Sequence, residues 1–450
     1  MFDETDMLRR GLDFMKKKDY EQAVASFNDA LKANPKFIEA YFSRGNALEA
    51  LGRFDQAMES YDAVLKFAPK EVAAYFNRAC LFRKKGDNDR ALSELTRAID
   101  LKPNYGKAYY NRGAIHFSMG RLEKSFTDYT KAIECSPKDA DAYVARGLVH
   151  VAKGDSEKAM EDYDQALAID PNHFRGRGNR GNVLETLGRN QEALEEYSRV
   201  IQLVPSDYKA YMNRGFVYSK LEKRENAIAD YTRAIELNPK YAKAYCCRGA
   251  LYVQLKRQQK ALEDYEEAVR LAPKNIDAYI SRGQAKLALG DQIGALEDFT
   301  LALKNDLNNA KAFLNRASVQ AKLCNTQAAI EDYSEAIRLV PTNAQAFCFR
   351  GVLYAKTGQL DAAIADYEKT IALDPKHVSA FLNLGLVQRI QGKFKPAIQN
   401  FSTAIKLNPN YVAAYKNRAA TYGMIGNKEK AQQDLDKVEE LEKEIVRPNP

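Results

Sequence analysis

No stretch of this 450-residue chain approaches the roughly 18 consecutive apolar residues that a membrane span requires. The opening MFDETDMLRRG has acids where a secretory leader carries a basic region, and no apolar run follows, so no signal peptide is expected. Cysteine is scarce. Cys80, Cys135, Cys246, Cys247, Cys324 and Cys348 show no paired metal-ligand spacing, which suits reduced core or groove residues of a cytoplasmic protein rather than a disulfide framework. Histidine is scarcer: His116, His150, His173 and His377 stand near no cysteine or acid cluster, so neither a metal nor a cofactor is expected. No Ser–His or Cys–His constellation, Walker loop or catalytic carboxylate pair stands out. Gly176, Gly178 and Gly181 spell G-x-G-x-x-G, yet no strand precedes them, so they make no dinucleotide fingerprint. These absences point away from an enzyme.

Proline, at fourteen residues, is the most orderly of the minor components. Eleven of the fourteen fall in one register, from Pro35 to Pro409, spaced by multiples of 34 residues. That spacing exposes thirteen tandem units without an insertion or deletion, starting at residues 6, 40, 74, 108, 142, 176, 210, 244, 278, 312, 346, 380 and 414 and running from Asp6 to Arg447. Residues 1–5 form a leader and 448–450 a tail. Position 2 of a unit is usually aromatic (Tyr41, Tyr109, Phe313), position 6 is Gly or Ala (Gly45, Ala79, Gly181), position 18 is Ala except at Ser125, and position 22 is Tyr or Phe except at Leu95 and Leu435.

Each unit reads as a helical hairpin. AYFSRGNALEALG (40–52) has small and apolar residues at helical spacing and ends on Gly, while FDQAMESYDAVLKFAP (54–69) repeats the pattern and is closed by Pro. One hairpin cannot bury its apolar face, so neighbours must stack on a shared core. The period and these positions closely resemble the tetratricopeptide repeat over essentially the whole chain. The resemblance implies an all-α, right-handed superhelical solenoid of helix-turn-helix repeats, more than one superhelical turn long, with the first helix of each pair lining a concave groove. The charged continuation DKVEELEKEIV resembles the solvating cap such arrays need.

The net charge of +8 suggests nucleic acid until the arginines are placed. Position 5 is Arg in twelve units and position 21 is acidic in ten. In the exceptional unit both change together, to Leu384 and Asn400. A ladder of ion pairs is therefore expected, including Arg112 with Asp128, Arg146 with Asp162, Arg214 with Asp230 and Arg248 with Asp264, joining the helices of one unit or of adjacent units. With those arginines neutralised, nucleic acid is not an expected partner.

Position 4 is Asn in seven units: Asn77, Asn111, Asn179, Asn213, Asn315, Asn383 and Asn417. A side-chain amide complements a peptide unit, and the row resembles the asparagine ladder with which the solenoid of O-GlcNAc transferase and related groove binders hold extended chains. The alternative is a hydrogen bond to neighbouring backbone or to the next unit. Position 3 is mostly apolar (Phe42, Phe76, Tyr110, Val144, Met212, Ile280) and position 10 is apolar mainly in the middle (Phe117, Val151, Val253, Leu287). Together they would run an apolar stripe beside the ladder, edged by Lys107, Lys209 and Lys243, the alternative being that part of it packs against the adjacent unit. Partner segments with apolar and acidic side chains would suit such a groove. The five-residue clamp for acidic chaperone tails is not met: around Asn182, Asn213 and Lys243 the remaining places hold Gly178 and Cys247. In the sixth unit Gly176, Arg177 and Gly178 replace the usual Ala, aromatic and apolar residues, so a softer joint with a basic surface is expected there.

Three functions fit this sequence. The first is a non-enzymatic adaptor holding extended or helical segments in its groove. The second is a structural component of a large assembly, cytoskeletal, ciliary or self-associating. The third is the targeting domain of a larger enzyme.

Overall fold

The computed structural model describes residues 3–446, and among them it is all-helical, with twenty-six α-helices in adjacent pairs. The first helices of the pairs take odd numbers. Each is 13 residues long and they start every 34 residues, from α1 (Glu4–Lys16) and α3 (Ile38–Ala50) to α25 (Val412–Met424). The second helices keep the same period at 14 residues, from α2 (Tyr20–Ala33) to α24 (Phe394–Leu407), and α26 (Lys428–Val446) extends to 19. Helix α1 begins inside the stretch read as a leader, and residues 448–450 lie outside the described residues. The chain divides into two compact units, Met1–Asp230 and Tyr231–Pro450, and each repeats the same construction.

Local chemistry sets the helix ends. The turn inside a pair needs a left-handed residue, supplied by Gly in nine pairs, for example Gly52 and Gly154 at φ 74° and 82°. Lys18, Glu222, Lys256 and Cys324 adopt the same conformation without being Gly. Asp19, Asp87, Asp155 and Asp291 then cap the next helix through its free amides. At the far end, the residue before each Pro is pushed to extended backbone, as Asn34 is at φ −135°, ψ 96°.

The core of a pair is a ring driven against a helix that lacks a side chain. A Cβ placed on Gly147 in α9 (Ala140–Ala152) would stand 2.6 Å from Tyr163 Cε1 in α10 (Ser156–Ile169). Gly45 against Tyr61 and Gly385 against Phe401 give the same distance. Where position 6 is Ala, the ring has often gone: Ala79 faces the unit with Leu95 and Ala419 the one with Leu435, although Ala317 is kept with Tyr333. Alanines such as Ala57, Ala91 and Ala159 are fully buried at the same interface. The exception at that position is accounted for, since Ser125 donates its hydroxyl hydrogen to the Gly113 carbonyl at 2.9 Å.

Consecutive first helices approach one another, as α1 does α3 and α9 does α11 (Phe174–Thr186), and no two second helices do so to that degree among the described residues. The first helices therefore line the inner face of each unit. Position 3 does not lie open on that face. Val144, Met212 and Ile280 are buried, and the rings of Phe42 and Tyr110 pack on Tyr61 and Tyr129 at 5.9 and 5.5 Å. The apolar stripe expected there is mostly packing between neighbouring pairs. Exposed apolar side chains of the first helices include Leu148, Val151, Phe216, Val253, Phe349 and Val352, so position 10 stays open at Val151 and Val253.

Gly147→Ala is expected to cost about 1–2 kcal/mol, overpacking against Tyr163 outweighing the better helix propensity of Ala. In a Tyr163→Leu background the same change should be neutral or stabilising. Urea unfolding of the four proteins of this cycle checks it; equal costs in both backgrounds would contradict the ring contact.

Candidate functional site

Among the described residues, nine of the twelve position-5 arginines join three helices. Arg112 directs Nε and Nη2 at the two carboxylate oxygens of Asp128, at 2.9 and 2.7 Å. Arg146 holds Asp162 at 3.0 and 2.6 Å, Arg214 holds Asp230 at 2.8 Å twice, and Arg248 holds Asp264 at 3.0 and 2.7 Å. The remaining nitrogen, Nη1, reaches back to the preceding second helix: to Thr96 at 3.2 Å, Thr130 at 3.5 Å, Ser198 at 3.1 Å and Thr232 at 3.0 Å. The guanidinium also lies over the aromatic ring three residues earlier, 5.5 Å from the Tyr109 centroid for Arg112. The hydrogen bonds to the carboxylates push the pKa of Arg112, Arg146 and Arg214 above the ordinary value, so these groups stay charged. The pairs thus lie both within a unit and between units. The polar residue at position 23 that completes them was visible in the sequence as a place always holding an acceptor oxygen. In the exceptional unit Leu384 is buried and Asn400 donates to Gln388 Oε1 at 2.8 Å, so a neutral pair occupies the same place.

The histidines belong to this junction. His116 and His150 place Nε2 3.9 Å from Asp128 and Asp162, and the ring of His150 meets Phe126 edge-on at 5.3 Å. Burial lowers both pKa values from 6.5, against the pull of the neighbouring carboxylates. Lys286 takes the equivalent place beside Asp298, at 3.1 Å. Among the described residues, no group of three or more His, Cys, Asp or Glu is arranged to hold a metal.

The asparagines sit half-buried where consecutive first helices meet. Asn77 donates to Asn46 Oδ1 at 3.0 Å and Asn213 to Asn182 Oδ1 at 3.0 Å, in each case crossing to the preceding first helix. Asn111, Asn315 and Asn417 donate to their own helix, to the carbonyls of Lys107, Lys311 and Ala413 at 2.8–2.9 Å. Asn179 and Asn383 have no hydrogen-bond partner among the described residues. Five of the seven amides therefore spend a donor inside the protein, and two are free. Lys107, Lys209 and Lys243 are exposed on the same face and make no ion pair among the described residues. Asn46 and Asn182, three places further along the helix, belong to the row and were missed as members because only two units carry Asn there.

In the sixth unit arginine contacts stand in for the missing aromatic. Arg177 stands where the aromatic usually does. It donates to the Pro171 carbonyl at 3.0 and 2.8 Å, the bond that the hydroxyls of Tyr41 and Tyr75 make to Pro35 and Pro69. It also pairs with Glu196 at 3.0 Å, which Arg180 holds by its other oxygen at 2.8 Å. Of Arg175, Arg177 and Arg180, which would give the expected basic surface, only Arg175 is left largely in solvent, with Asp141 at 3.9 Å.

Sequence profiles described as tetratricopeptide repeat match residues 8–72 and 144–208, then 208–241, 242–275 and 378–411, and then 400–433. A further profile, described as TPR repeat, matches 79–120, 113–154, 325–358 and 353–389. Together they span well over half of the chain, which belongs to the tetratricopeptide repeat family. Membership supports a protein-interaction role of the adaptor or scaffold kind, in a family whose members are generally non-enzymatic. Among solved structures, the Cut9–Hcn1 hetero-tetramer of the APC/C is similar at 15% identity and a TM-score of 0.46, over 94% of this chain and 96% of that one. MamA is 30% identical over 37% of this chain and 96% of its own, with a TM-score of 0.35. YrrB, described as a TPR protein with an unusual peptide-binding site, is 26% identical over 41% of this chain and 95% of its own, with a TM-score of 0.38. No curated protein matches the chain. No helix among the described residues is long and apolar enough to cross a membrane.

Two predictions follow from the junctions. Asp162→Asn leaves Arg146 without its carboxylate and is expected to cost about 1.5–3 kcal/mol in urea unfolding. Adding Arg146→Leu, which copies the Leu384 and Asn400 arrangement, should recover part of that loss. The histidines supply the second. Their folded pKa values lie below the unfolded ones, so their contribution is complete above about pH 6.5 and is lost as the pH falls towards the lowered values. The thermal midpoint should therefore drop more between about pH 7.5 and 5.5 in the wild type than in His116→Phe/His150→Phe.

Proposed function

We propose that the protein is a non-enzymatic adaptor that holds extended segments of partner proteins along the inner face of its first helices. The observation that carries this reading is the row of position-4 asparagines on that face, with the Asn179 and Asn383 amides unsatisfied and the acceptor oxygens of others open. An amide offers a donor and an acceptor at the spacing of a peptide unit, which suits main-chain recognition without regard to side chain. Exposed apolar residues beside the row, Val151, Phe216 and Val253 among them, supply area, and Lys107, Lys209 and Lys243 favour acidic side chains. Ten of the twelve position-5 arginines are committed to carboxylates among the described residues, so the basic balance does not argue for nucleic acid. The setting proposed is the cytoplasm, in keeping with unpaired cysteines.

The test is selection of a phage-displayed library of random peptides on the full chain, compared with Asn77, Asn111, Asn315 and Asn383 all changed to Ala. Circular dichroism should show both proteins equally helical. Peptides enriched on the wild type are expected to be lost from the variant. Enrichment of the same peptides on both would move recognition away from the asparagine row.

A further inference from the structure

In several other pairs position 3 carries an apolar side chain buried against the neighbouring pairs, as Val144, Met212, Ile280 and Leu382 are. In the sixth pair that position is Gly178, and a Cβ built on it meets nothing within 4 Å. A cavity of about 340 Å³ opens there between α11, α12 (Asn190–Leu203) and α13 (Tyr208–Lys220). Its floor is apolar, made by Tyr197, Val200 and Ala210, with the half-exposed ring of Phe174 at one side.

The polar groups around this floor are fixed and in part unspent. Asn182 Oδ1 accepts from Tyr197 at 2.8 Å and from Asn213 at 3.0 Å, which leaves the Asn182 amide hydrogens free. Asn179, also on the wall, has no hydrogen-bond partner among the described residues. At the mouth stand Arg175, 67% exposed with no carboxylate closer than 3.9 Å, and Lys209, which makes no ion pair. The one acid in the lining, Asp207, is occupied as a helix cap, Oδ1 accepting from the amides of Lys209 and Ala210 at 2.9 and 3.3 Å. The site therefore combines an apolar recess, free amide donors and two exposed cations, of which Arg175 has Asp141 no closer than 3.9 Å.

We infer that the recess left by Gly178 is a specificity pocket, which takes one large apolar side chain of a bound segment and selects an acidic residue next to it. The occupant is an extended stretch of a partner protein, so the inference rests on the groove reading proposed above. The apolar side chain replaces the one that the sequence omits at position 3. Its neighbour's carboxylate lies between Arg175 and Lys209, where charge complementarity favours it. Gly178 costs the helix stability relative to a residue with a side chain, and the recess is what that cost leaves behind.

Two variants test the pocket within the same peptide selection on the full chain. Gly178→Met fills the recess with the residue that the next pair carries, Met212, and should not harm the helix. Arg175→Glu/Lys209→Glu reverses the mouth. On the wild type the enriched peptides should share an apolar residue beside an acidic one. A synthetic fluorescein-labelled peptide of that sequence should bind Gly178→Met at least about tenfold more weakly. The charge-reversed protein should enrich peptides with a basic residue in the acidic place. Enriched peptides without that pair, or with unchanged affinity for Gly178→Met, overturn the pocket. If they still depend on the four asparagines changed above, the groove reading stands without it. If neither Gly178→Met nor the asparagine variant alters the selection, or nothing is enriched, both readings fall.

Discussion

A guanidinium held between helices is tolerable only when its donors all meet acceptors, and this requirement organises the protein. Most position-5 arginines find acceptors on the second helix of their own pair and another on the second helix of the pair before, as Arg112 and Arg350 do. The fork fixes the angle between helices that apolar contacts alone leave adjustable. The ring beneath the guanidinium and the glycine beneath the next ring follow from it, because both must fit within the spacing that the fork sets. The apolar core supplies the bulk of the driving force, through small side chains such as Ala57 and Ala159 and rings such as Tyr61 and Tyr163.

The inner face is less uniform from pair to pair than the arginine ladder, with Asn at position 4 in seven of the thirteen units against Arg at position 5 in twelve. The asparagine row mixes two behaviours. Some amides brace one first helix against the next, as Asn77 does through Asn46, while others lie over their own helix and can turn to a ligand with little rearrangement. A surface of this kind suits main-chain recognition, and side-chain selectivity then has to come from places where the repeat is broken. The sixth pair is such a place. There Arg177 takes over the proline contact of the missing tyrosine, so the pair remains tied while Gly178 leaves room.

Much of the fold was legible in the residues. A period that never slips, with proline at one end of the hairpin and glycine at its turn, dictates helix pairs, because those residues act locally through backbone geometry. The joint replacement at Leu384 and Asn400 pointed to the arginine–carboxylate contact for the same reason: a buried charge cannot lose its partner alone. The apolar stripe divides: Val151 and Val253 at position 10 stay exposed, while much of position 3 is covered. Periodicity places position 3 on a helix face but does not say whether a neighbouring pair covers that face, and here Val144, Met212 and Ile280 are covered.

By itself, then, the sequence determined the all-helical repeat, its 34-residue register and the identity of the charged partners, since each depends on interactions at a fixed separation along the chain. Only the tertiary structure decided which donors of the asparagine row are already used, that most of the arginines reach a third helix, and that Gly178 leaves a recess. Those outcomes depend on how adjacent pairs pack, a distance set across space by side chains that are not neighbours in the sequence.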